Sequence, residues 1–437
     1  MSKISLSKNK IADIKAAELS YILVALLPAF ILINRFPYLS ILTFLALLLV
    51  CLFYFFRKRI ISHQHLNIII FLLVISSYLV FSYFISKQSF FNIFNYSFLR
   101  FDGNFFFSYM PFIIFAVPFL NYRKAIKIYF WVLFIIFVFF SVIGFFEYSN
   151  GISAFTTRID DYYLGPMFVA LNNSHNATGS VFAIVGIFAL AFFFESKKVE
   201  KIPYGLISLL CFIAIFMTKS RGSLVAFVIG IFFLLIFASG SFIKFIRNIL
   251  IIIAIMVPLV FITGTFGRIK QIIYLFDQSA LTRFELWNKA IYLFKQSPIL
   301  GIGFARYNDV PWNYDIVPLT GNSGIFSLYT SGNSIFNDTN AHNSYLHFLA
   351  EIGIAGLVLF LLFWVFCLVI IIKAYRQADN RFSRQVYLAV IGGIITLFFL
   401  SVSENYMTAP TVMLCLTTAT SLAIGLSGVE RSGDISR

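Results

Sequence analysis

Charge is what this sequence of 437 residues has least of. Asp, Glu, Lys and Arg together make up only 12% of it, about half the share found in a soluble domain. Acidic residues are the scarcer kind, at 18 against 33 Lys and Arg. The shortage excludes an ordinary water-exposed surface, and 60% of the residues are hydrophobic, with 57 Phe among them. The composition indicates a protein that faces lipid.

Cysteine is also rare. All four cysteines lie inside apolar runs, where a free thiol behaves as a small hydrophobic group. Their spacing predicts neither a disulfide framework nor a metal site. The sequence has no Gly-rich phosphate loop followed by Lys, no low-complexity tract and no internal repeat of fixed period. We therefore expect no cofactor and no bound metal.

Long apolar runs are abundant instead. A hydrocarbon core roughly 30 Å thick takes about 20 helical residues to cross, and runs of that kind recur along the whole chain. Backbone groups in lipid must be satisfied internally, so these runs predict helices. We predict an all-α polytopic membrane protein with about 12 transmembrane helices, forming a single membrane domain over residues 1–437. The spans are predicted near 17–34, 38–56, 66–86, 106–120, 125–147, 177–195, 202–218, 221–239, 243–264, 343–372, 386–403 and 408–427.

The basic residues predict the orientation of these spans. If the N-terminus lies inside, the cytoplasmic segments include the basic stretches 57–59, 123–127, 197–201 and 373–384, as the positive-inside rule requires. Both termini are then cytoplasmic, and the first span is a retained anchor because it is too long for a signal peptide and lacks a small-residue cleavage site. The formal charge of +15 follows from this bias, so we expect membrane lipids and no nucleic acid as partners.

One long periplasmic loop, residues 265–341, separates spans 9 and 10 and far exceeds ordinary connection lengths. It contains "TRFELWNKAIYLFKQSP", in which Thr282 and Glu285 have capping-box spacing and Pro298 ends the segment. We predict an amphipathic helix lying on or against the membrane domain. Its apolar face is predicted from helical spacing to comprise Phe284, Trp287, Ile291 and Phe294.

Several charged residues stand at the outer ends of these predicted helices. Arg283 lies in the first turn of the loop helix, where a cation beside the positive helix end costs stability unless an anion binds there. Arg221 opens the eighth span in "TKSRGSLVAF", two residues after Lys219. The small residues Gly222 and Ser223 that follow are expected to leave room for a phosphate group.

The loop returns to the membrane through "NAHNSYLHFLAEIGIAGLVLF". His342 lies at the mouth of the tenth span, and Asn343 or Ser344 is able to cap the helix that follows. Glu351 lies about 13 Å along that helix from His342. An ionisable group at such a depth is a functional candidate by default.

These segments together resemble the O-antigen ligase and polymerase family. The resemblance rests on "SRG" opening a span, "RFELWNKA", "PILGIGF" and "AHNSYLHFLAEIGIAGL", in that order. It is closest over roughly residues 200–370. No single motif is specific, whereas the ordered set on one membrane face, with a long loop between the ninth and tenth spans, is fairly specific.

The resemblance implies a GT-C-type, metal-independent membrane glycosyltransferase in the bacterial inner membrane, with its active site facing the periplasm. Such enzymes take a glycan from undecaprenyl diphosphate and transfer it to a sugar hydroxyl of lipid A-core. The family's two essential arginines map onto Arg221 and Arg283, and its histidine maps onto His342. Forked guanidinium donors suit a diphosphate, and an imidazole suits a general base. Further candidate substrate contacts are Lys219, Arg158, Asn176, Asn343 and Glu351.

Alternatives remain open at this level. Arg221 is also readable as a snorkelling helix-end residue, Arg283 as a solvated surface residue, and His342 as a helix-end residue bonded to backbone. A polymerase that joins repeat units on undecaprenyl diphosphate, with the growing glycan as acceptor, fits the same motifs. A transporter of lipid-linked sugars fits less well, because transporters place polar groups at the bilayer midplane.

Overall fold

A computed structural model describes residues 18–28, 37–58, 63–85, 102–116, 121–150, 160–161, 165–166, 168–170, 174–262, 278–310 and 339–431. Thirteen helices occur within these ranges. They are α1 (18–26), α2 (Pro37–Lys58), α3 (His63–Ile85), α4 (Asn104–Ile114), α5 (Tyr122–Asn150), α6 (His175–Glu195), α7 (Lys201–Thr218), α8 (Arg221–Ala238), α9 (Phe242–Ile262), α10 (Gln278–Gln296), α11 (Ser344–Gln377), α12 (Arg381–Ser403) and α13 (Pro410–Arg431). The described strands, β1 (Asp160–Asp161) and β2 (Gly165–Pro166), form one short antiparallel pair.

Eight of the described helices are long and apolar enough to cross a membrane: α3, α5, α6, α7, α8, α11, α12 and α13. They coincide with eight of the predicted spans, so the all-helical, multi-pass architecture is confirmed. The predicted fourth span, 106–120, is not reproduced as a full crossing. α4 has 11 residues, or about 16 Å of helix, which is too short for the hydrocarbon core. It ends where the Phe115 N–H turns back to the Pro111 carbonyl.

The centre of the bundle is formed by α6, α12 and α13, whose most apolar windows are 78%, 72% and 89% buried, against 33% to 44% in the other five candidate spans. A helix that is apolar on all sides belongs in such a position. Small residues bring α6, α8 and α12 close together. A Cβ added at Gly230 of α8 would lie 2.3 Å from the Thr396 hydroxyl of α12, and one at Gly392 would lie 2.6 Å from Ile187 of α6.

The two ends of the bundle differ in chemistry. At one end the Arg384 guanidinium donates to both carboxylate oxygens of Glu195, at 3.0 and 3.1 Å, and the Tyr375 hydroxyl donates to the same carboxylate. We call this the basic end, and it also carries Lys197, Lys198, Lys201, Arg376 and Arg381. The opposite end, where α6, α8 and α11 begin and α7 and α12 end, holds most of the residues predicted to form the site. We call it the site end.

The loop helix α10 runs along α11 but differs from the predicted helix in two ways. It begins at Gln278, four residues before the predicted cap Thr282, so Arg283 lies in the second turn and the argument from a cation in the first turn was wrong. The buried face is also not the predicted one. Phe284 and Ile291 are exposed, whereas Leu286, Ala290 and Leu293 are buried. Small and aliphatic side chains permit the closer approach to α11.

The segment after α10 is bound to a kink in α11. Gly353 has φ of 63°, which breaks the helix and frees backbone groups that lipid cannot satisfy. The backbone of the segment after α10 satisfies them instead: Ile302 and Gly303 donate to the carbonyls of residues 350 and 351, both at 2.9 Å, and Ile354 donates to the Pro298 carbonyl at 2.9 Å. Gly301 makes the approach possible, because a Cβ there would lie 2.3 Å from the Glu351 backbone. The glycines of "PILGIGF" and "EIGIAG" therefore serve packing.

Candidate functional site

The turn between α7 and α8 brings two cations to the site end. Lys219 caps α7 in the left-handed conformation, with φ of 61°, and its N–H donates to the Phe216 carbonyl. The Thr218 hydroxyl accepts a hydrogen bond from the Ser220 N–H at 3.2 Å. The chain thereby reverses direction within three residues, and Arg221 becomes the first residue of α8. Both side chains start from the tip of a helical hairpin.

The small residues after Arg221 are occupied by helix packing. A Cβ at Gly222 would lie 2.1 Å from the hydroxyl oxygen of Ser403, so α8 begins in contact with the end of α12. The Ser223 hydroxyl lies 3.0 Å from that of Ser180 and 2.8 Å from that of Ser220. The expectation that Gly222 and Ser223 leave room for a phosphate was wrong. Their size instead places Arg221 next to the segment that follows α12.

A carboxylate that the sequence analysis did not single out lies at the middle of the site. Glu404 Oε1 accepts hydrogen bonds from Arg283 Nη2 at 2.9 Å and from Asn176 Nδ2 at 3.0 Å. Glu404 Oε2 lies 2.5 Å from His342 Nδ1. One side chain therefore joins three predicted site residues from α6, α10 and the start of α11. We call Glu404, Arg283, His342 and Asn176 the Glu404 cluster.

Electrostatics keep Glu404 ionised. Burial alone raises the pKa of the Glu404 carboxyl, but His342 and Arg283, by charge and by hydrogen bonding, more than offset the burial. The net effect is a pKa below the ordinary value. An ionised carboxylate is needed for both contacts, because a protonated acid would lose its attraction for the guanidinium.

His342 is held in an unusual backbone conformation. Its φ is 46°, in the left-handed region that few side chains adopt, and its N–H donates to Asn340 Oδ1 at 2.8 Å. Nδ1 lies against the Glu404 carboxylate, and in the neutral tautomer with the proton on Nδ1 the other nitrogen, Nε2, is an acceptor. Nε2 lies 3.3 Å from the Thr339 hydroxyl. The side chain is 33% exposed, so a substrate hydroxyl has access to it.

The start of α11 fixes this arrangement from below. Asn343 is the N-cap, as predicted: its side-chain oxygen accepts from the N–H groups of Tyr345 and Leu346 at 3.0 and 3.1 Å. The Ser344 hydroxyl donates to the Glu404 carbonyl at 3.1 Å. The start of α11 therefore positions both residues of the pair: Ser344 binds the backbone of Glu404, and His342 directly precedes the N-cap.

Glu351 lies in a separate buried cluster. Its two carboxylate oxygens accept from the N–H groups of Tyr307 and Ala305, each at 2.9 Å. His347 Nε2 lies 2.9 Å from Asp102 Oδ1 and 3.6 Å from Glu351 Oε1. The carboxylate thus anchors the segment between α10 and the outer loop, and its role as a substrate contact stays a prediction.

Within the residues that the structure describes, this buried cluster is also the one group of three His, Cys, Asp or Glu side chains that lie close enough together to share a metal ion: Asp102, His347 and Glu351. One cation of the protein, Lys289, lies beside it. Lys289 of α10 is buried 4.5 Å from the centre of the Tyr307 ring. Burial lowers the pKa of Lys289 to about 8, against the opposing influence of Asp309 and Glu351. The charges and backbone bonds suit an anchor between α10 and α11.

The predicted residues therefore fall into three groups. Asn176, Arg283 and His342 meet at Glu404, and Lys219 and Arg221 lie at the adjacent α7–α8 turn. Asn343 and Glu351 support the same region from α11. Arg158 lies outside the described residues. A sequence signal for Glu404 did exist: it is a lone acidic residue in the short segment "SENYMTAP" between two apolar runs.

Comparison with known protein families gives one match. Residues 206–361 match the family described as O-Antigen ligase, a stretch that runs from within α7 to within α11 and contains Lys219, Arg221, Arg283 and His342. No curated protein matches the chain. Asn176 and Glu404 lie outside the matched stretch and are joined to it only by the fold. The resemblance read from the motifs is confirmed, and this multi-pass membrane protein carries a domain of the O-antigen ligase family at residues 206–361.

Proposed function

We propose that the protein is an O-antigen ligase-type glycosyltransferase acting at the periplasmic face of the bacterial inner membrane. It transfers a glycan from undecaprenyl diphosphate to a sugar hydroxyl of lipid A-core. The acceptor oxygen forms a bond to the anomeric carbon, and the bond between that carbon and the diphosphate oxygen breaks. The hydroxyl proton passes to His342, and the diphosphate leaves with its electron pair.

The observation that supports this most is the shared carboxylate. Glu404 holds the Arg283 guanidinium at 2.9 Å on one oxygen and His342 Nδ1 at 2.5 Å on the other. A cation suited to the leaving group and a base suited to the attacking hydroxyl are thereby fixed on either side of one anion. Pre-organised charge of this kind is the usual source of catalysis when no covalent chemistry is required of the protein.

The diphosphate is bound by Arg283 and Arg221 in this proposal. Arg283 approaches from α10, and Arg221 from the tip of the α7–α8 hairpin. Both guanidinium groups offer planar, forked donors that match phosphate oxygens. Lys219, two residues before Arg221, adds a point charge at the same tip. The lipid tail of the donor then lies in the bilayer beside α8.

His342 acts as the general base, and Glu404 is its positioning residue. The carboxylate accepts a hydrogen bond from the Nδ1–H group, so Nε2 carries the lone pair that faces the sugar hydroxyl. A substrate hydroxyl replaces the Thr339 hydroxyl, which is 3.3 Å from Nε2. Glu404 also stabilises the imidazolium that forms when the proton arrives.

Substitution of the cations and the base tests these roles. Arg221→Ala and Arg283→Ala are expected to abolish or severely reduce transfer from undecaprenyl-diphosphate-linked glycan, and Lys at either position to restore only part of it, because Lys lacks the fork. His342→Ala is expected to spare donor binding and slow the chemical step by roughly 100- to 10,000-fold. Lys198→Ala, at the basic end, is the control with unchanged transfer. A folded His342→Ala protein with near-normal turnover would show that His342 is not the general base.

A purified system separates the enzyme from its alternatives. The protein in detergent is expected to form product with EDTA present and without ATP. If lipid A-core serves as acceptor and carrier-linked repeat units do not, the ligase is supported; the reverse result replaces it with the polymerase. Loss of transfer on chelation contradicts metal independence. Absence of transfer, together with scrambling of lipid-linked glycan in vesicles, points to a transporter.

A further inference from the structure

A groove on the lipid-facing side of the bundle is separate from the Glu404 cluster. It lies between α6, α7, α8 and α9 and has a volume of about 460 Å³. Most of its wall is apolar: Phe212, Phe227 and Ile231 are buried, and Leu209 and Ile251 are exposed. None of the described residues that line it is acidic.

The charged groups of the groove are confined to one end. Lys201, the first residue of α7, and Arg247 of α9 stand there, together with Asn248. Lys201 Nζ lies 5.2 Å from the centre of the Phe193 ring, and an Arg247 Nη2 hydrogen bonds to the Asn248 side chain at 3.5 Å. Ser208, deeper inside, already donates to the Gly186 carbonyl at 3.2 Å. The groove therefore has a cationic mouth above an apolar channel.

The mouth coincides with the basic end of the molecule. Lys201 follows Lys197 and Lys198 in the same turn, and the Arg384–Glu195 pair stands at the end of α6. The Glu404 cluster lies at the other end of these helices. A ligand held by Lys201 and Arg247 is thus on the opposite side of the membrane from the transfer reaction, and its binding does not depend on the proposed function.

We propose that this groove binds an anionic phospholipid from the leaflet at the basic end. The phosphate and its charged headgroup bind Lys201 and Arg247, and one acyl chain lies along the apolar wall toward Phe212. Two cations in the groove lining, which contains no acidic residue among the described residues, favour a net negative headgroup over a zwitterionic one. The apolar channel holds the chain by van der Waals packing, since a chain that comes from the bilayer gains no further hydrophobic free energy.

Gly205 gives the groove its depth. It belongs to α7, and a Cβ there would lie 3.2 Å from the Phe193 ring. A larger side chain at 205 therefore either displaces Phe193 or enters the channel. This makes a second kind of variant available, one that fills the apolar part and leaves both cations in place.

The test measures lipid binding to the full-length protein in detergent by native mass spectrometry. Phosphatidylglycerol and phosphatidylcholine with the same acyl chains are titrated separately. The wild-type protein is expected to prefer phosphatidylglycerol. A Lys201→Ala/Arg247→Ala protein is expected to bind it about 25-fold more weakly, because each basic residue near an anionic group contributes roughly a factor of five. Gly205→Leu is expected to weaken both lipids.

A Lys197→Ala/Lys198→Ala protein is the matched control, with the same loss of charge at the same end but outside the groove, and its preference is expected to stay. Equal binding of the two lipids by the wild-type protein overturns the proposal, as does unchanged binding by Lys201→Ala/Arg247→Ala. Preferential binding of a polyprenyl phosphate over phosphatidylglycerol overturns the phospholipid assignment. If a variant does not fold, the wild-type protein is titrated with both lipids in high salt. A site that selects by charge is expected to lose its preference for phosphatidylglycerol there, and an unchanged preference overturns the proposal.

Discussion

At the level of single side chains, the Glu404 carboxylate is shared between a cation and a base. Its oxygens are 2.9 Å from Arg283 Nη2 and 2.5 Å from His342 Nδ1. The sequence indicated Arg283 and His342 separately, because each stands in a motif beside apolar runs. It did not indicate the carboxylate that joins them, which follows them by 121 and 62 positions. Contact between residues so far apart in the sequence depends on tertiary packing, and it leaves no periodic pattern in the sequence.

The depressed pKa of Glu404 makes a prediction about stability. A carboxyl whose pKa is lower in the folded state stabilises the fold at pH values above its unfolded pKa, near 4.5, and loses that contribution as the pH falls through the folded value. The unfolding temperatures of the wild-type protein and of Glu404→Gln are therefore expected to differ most at neutral pH and to converge as the pH falls below 4.5 and through the lower folded pKa. Unfolding temperatures in detergent across this range provide the measurement. A difference that stays constant down to acid pH would show that Glu404 titrates as in the unfolded chain.

Glu404→Gln also tests positioning by a kinetic comparison. The amide retains one acceptor for Arg283 but lacks the charge that stabilises the His342 imidazolium. We expect kcat to fall with little change in the KM for the donor, and Glu404→Asp to recover part of the loss. An equal fall of kcat in Glu404→Gln and Ser403→Ala, a neighbour on α12, would instead indicate a general disturbance of this helix end.

At the level of elements, the kink of α11 and the segment from Pro298 to Gly303 stabilise each other. Gly301 has φ of 73°, and a Cβ there would lie 2.3 Å from the Glu351 carbonyl carbon and oxygen. The glycine motif was recognisable in the sequence. Its structural role was not, because glycine spacing alone does not show which backbone segment packs against the glycine. The burial of α10 was also misjudged, because a helix with apolar residues on two faces can pack by either one.

Gly301→Ala is expected to destabilise the protein more than Gly240→Ala. Both glycines have left-handed φ, 73° and 57°, so both alanines meet the same conformational penalty of about 1–2 kcal/mol. Only the alanine at 301 meets neighbouring atoms, since nothing lies within 4 Å of a Cβ at 240. Thermal unfolding and proteolysis between residues 298 and 310 report the difference. Equal effects of the two variants would mean that the close approach at Gly301 is not rigid.

At the level of the whole molecule, the chain separates its charges by helix end. The Glu404 cluster lies at one end and the Arg384–Glu195 pair at the other. Eight spans were predictable because hydrophobicity along a chain is a local property. The point at which α4 ends was not predictable, because the sequence does not show where a helix ends inside a bundle.

This separation predicts the result of a topology experiment. Tags at Lys198 and Arg381 are expected to be accessible from the cytoplasm, and a tag at Asn333, in the predicted outer loop, from the periplasm. The basic residues determine this orientation through the positive-inside rule. Labelling of cysteine substitutions at the three positions in intact cells and in permeabilised cells makes the measurement. A cytoplasmic position for 333 would invert the protein and place the Glu404 cluster on the wrong side for a periplasmic acceptor.

The position of Glu404 in the chain has a consequence for how the protein is made. Arg283 and His342 leave the ribosome well before residue 404. Until α12 has entered the membrane, both lack the carboxylate that joins them. Under the proposed function, a copy truncated before residue 404 is therefore expected to be anchored by many spans and still to lack transfer activity.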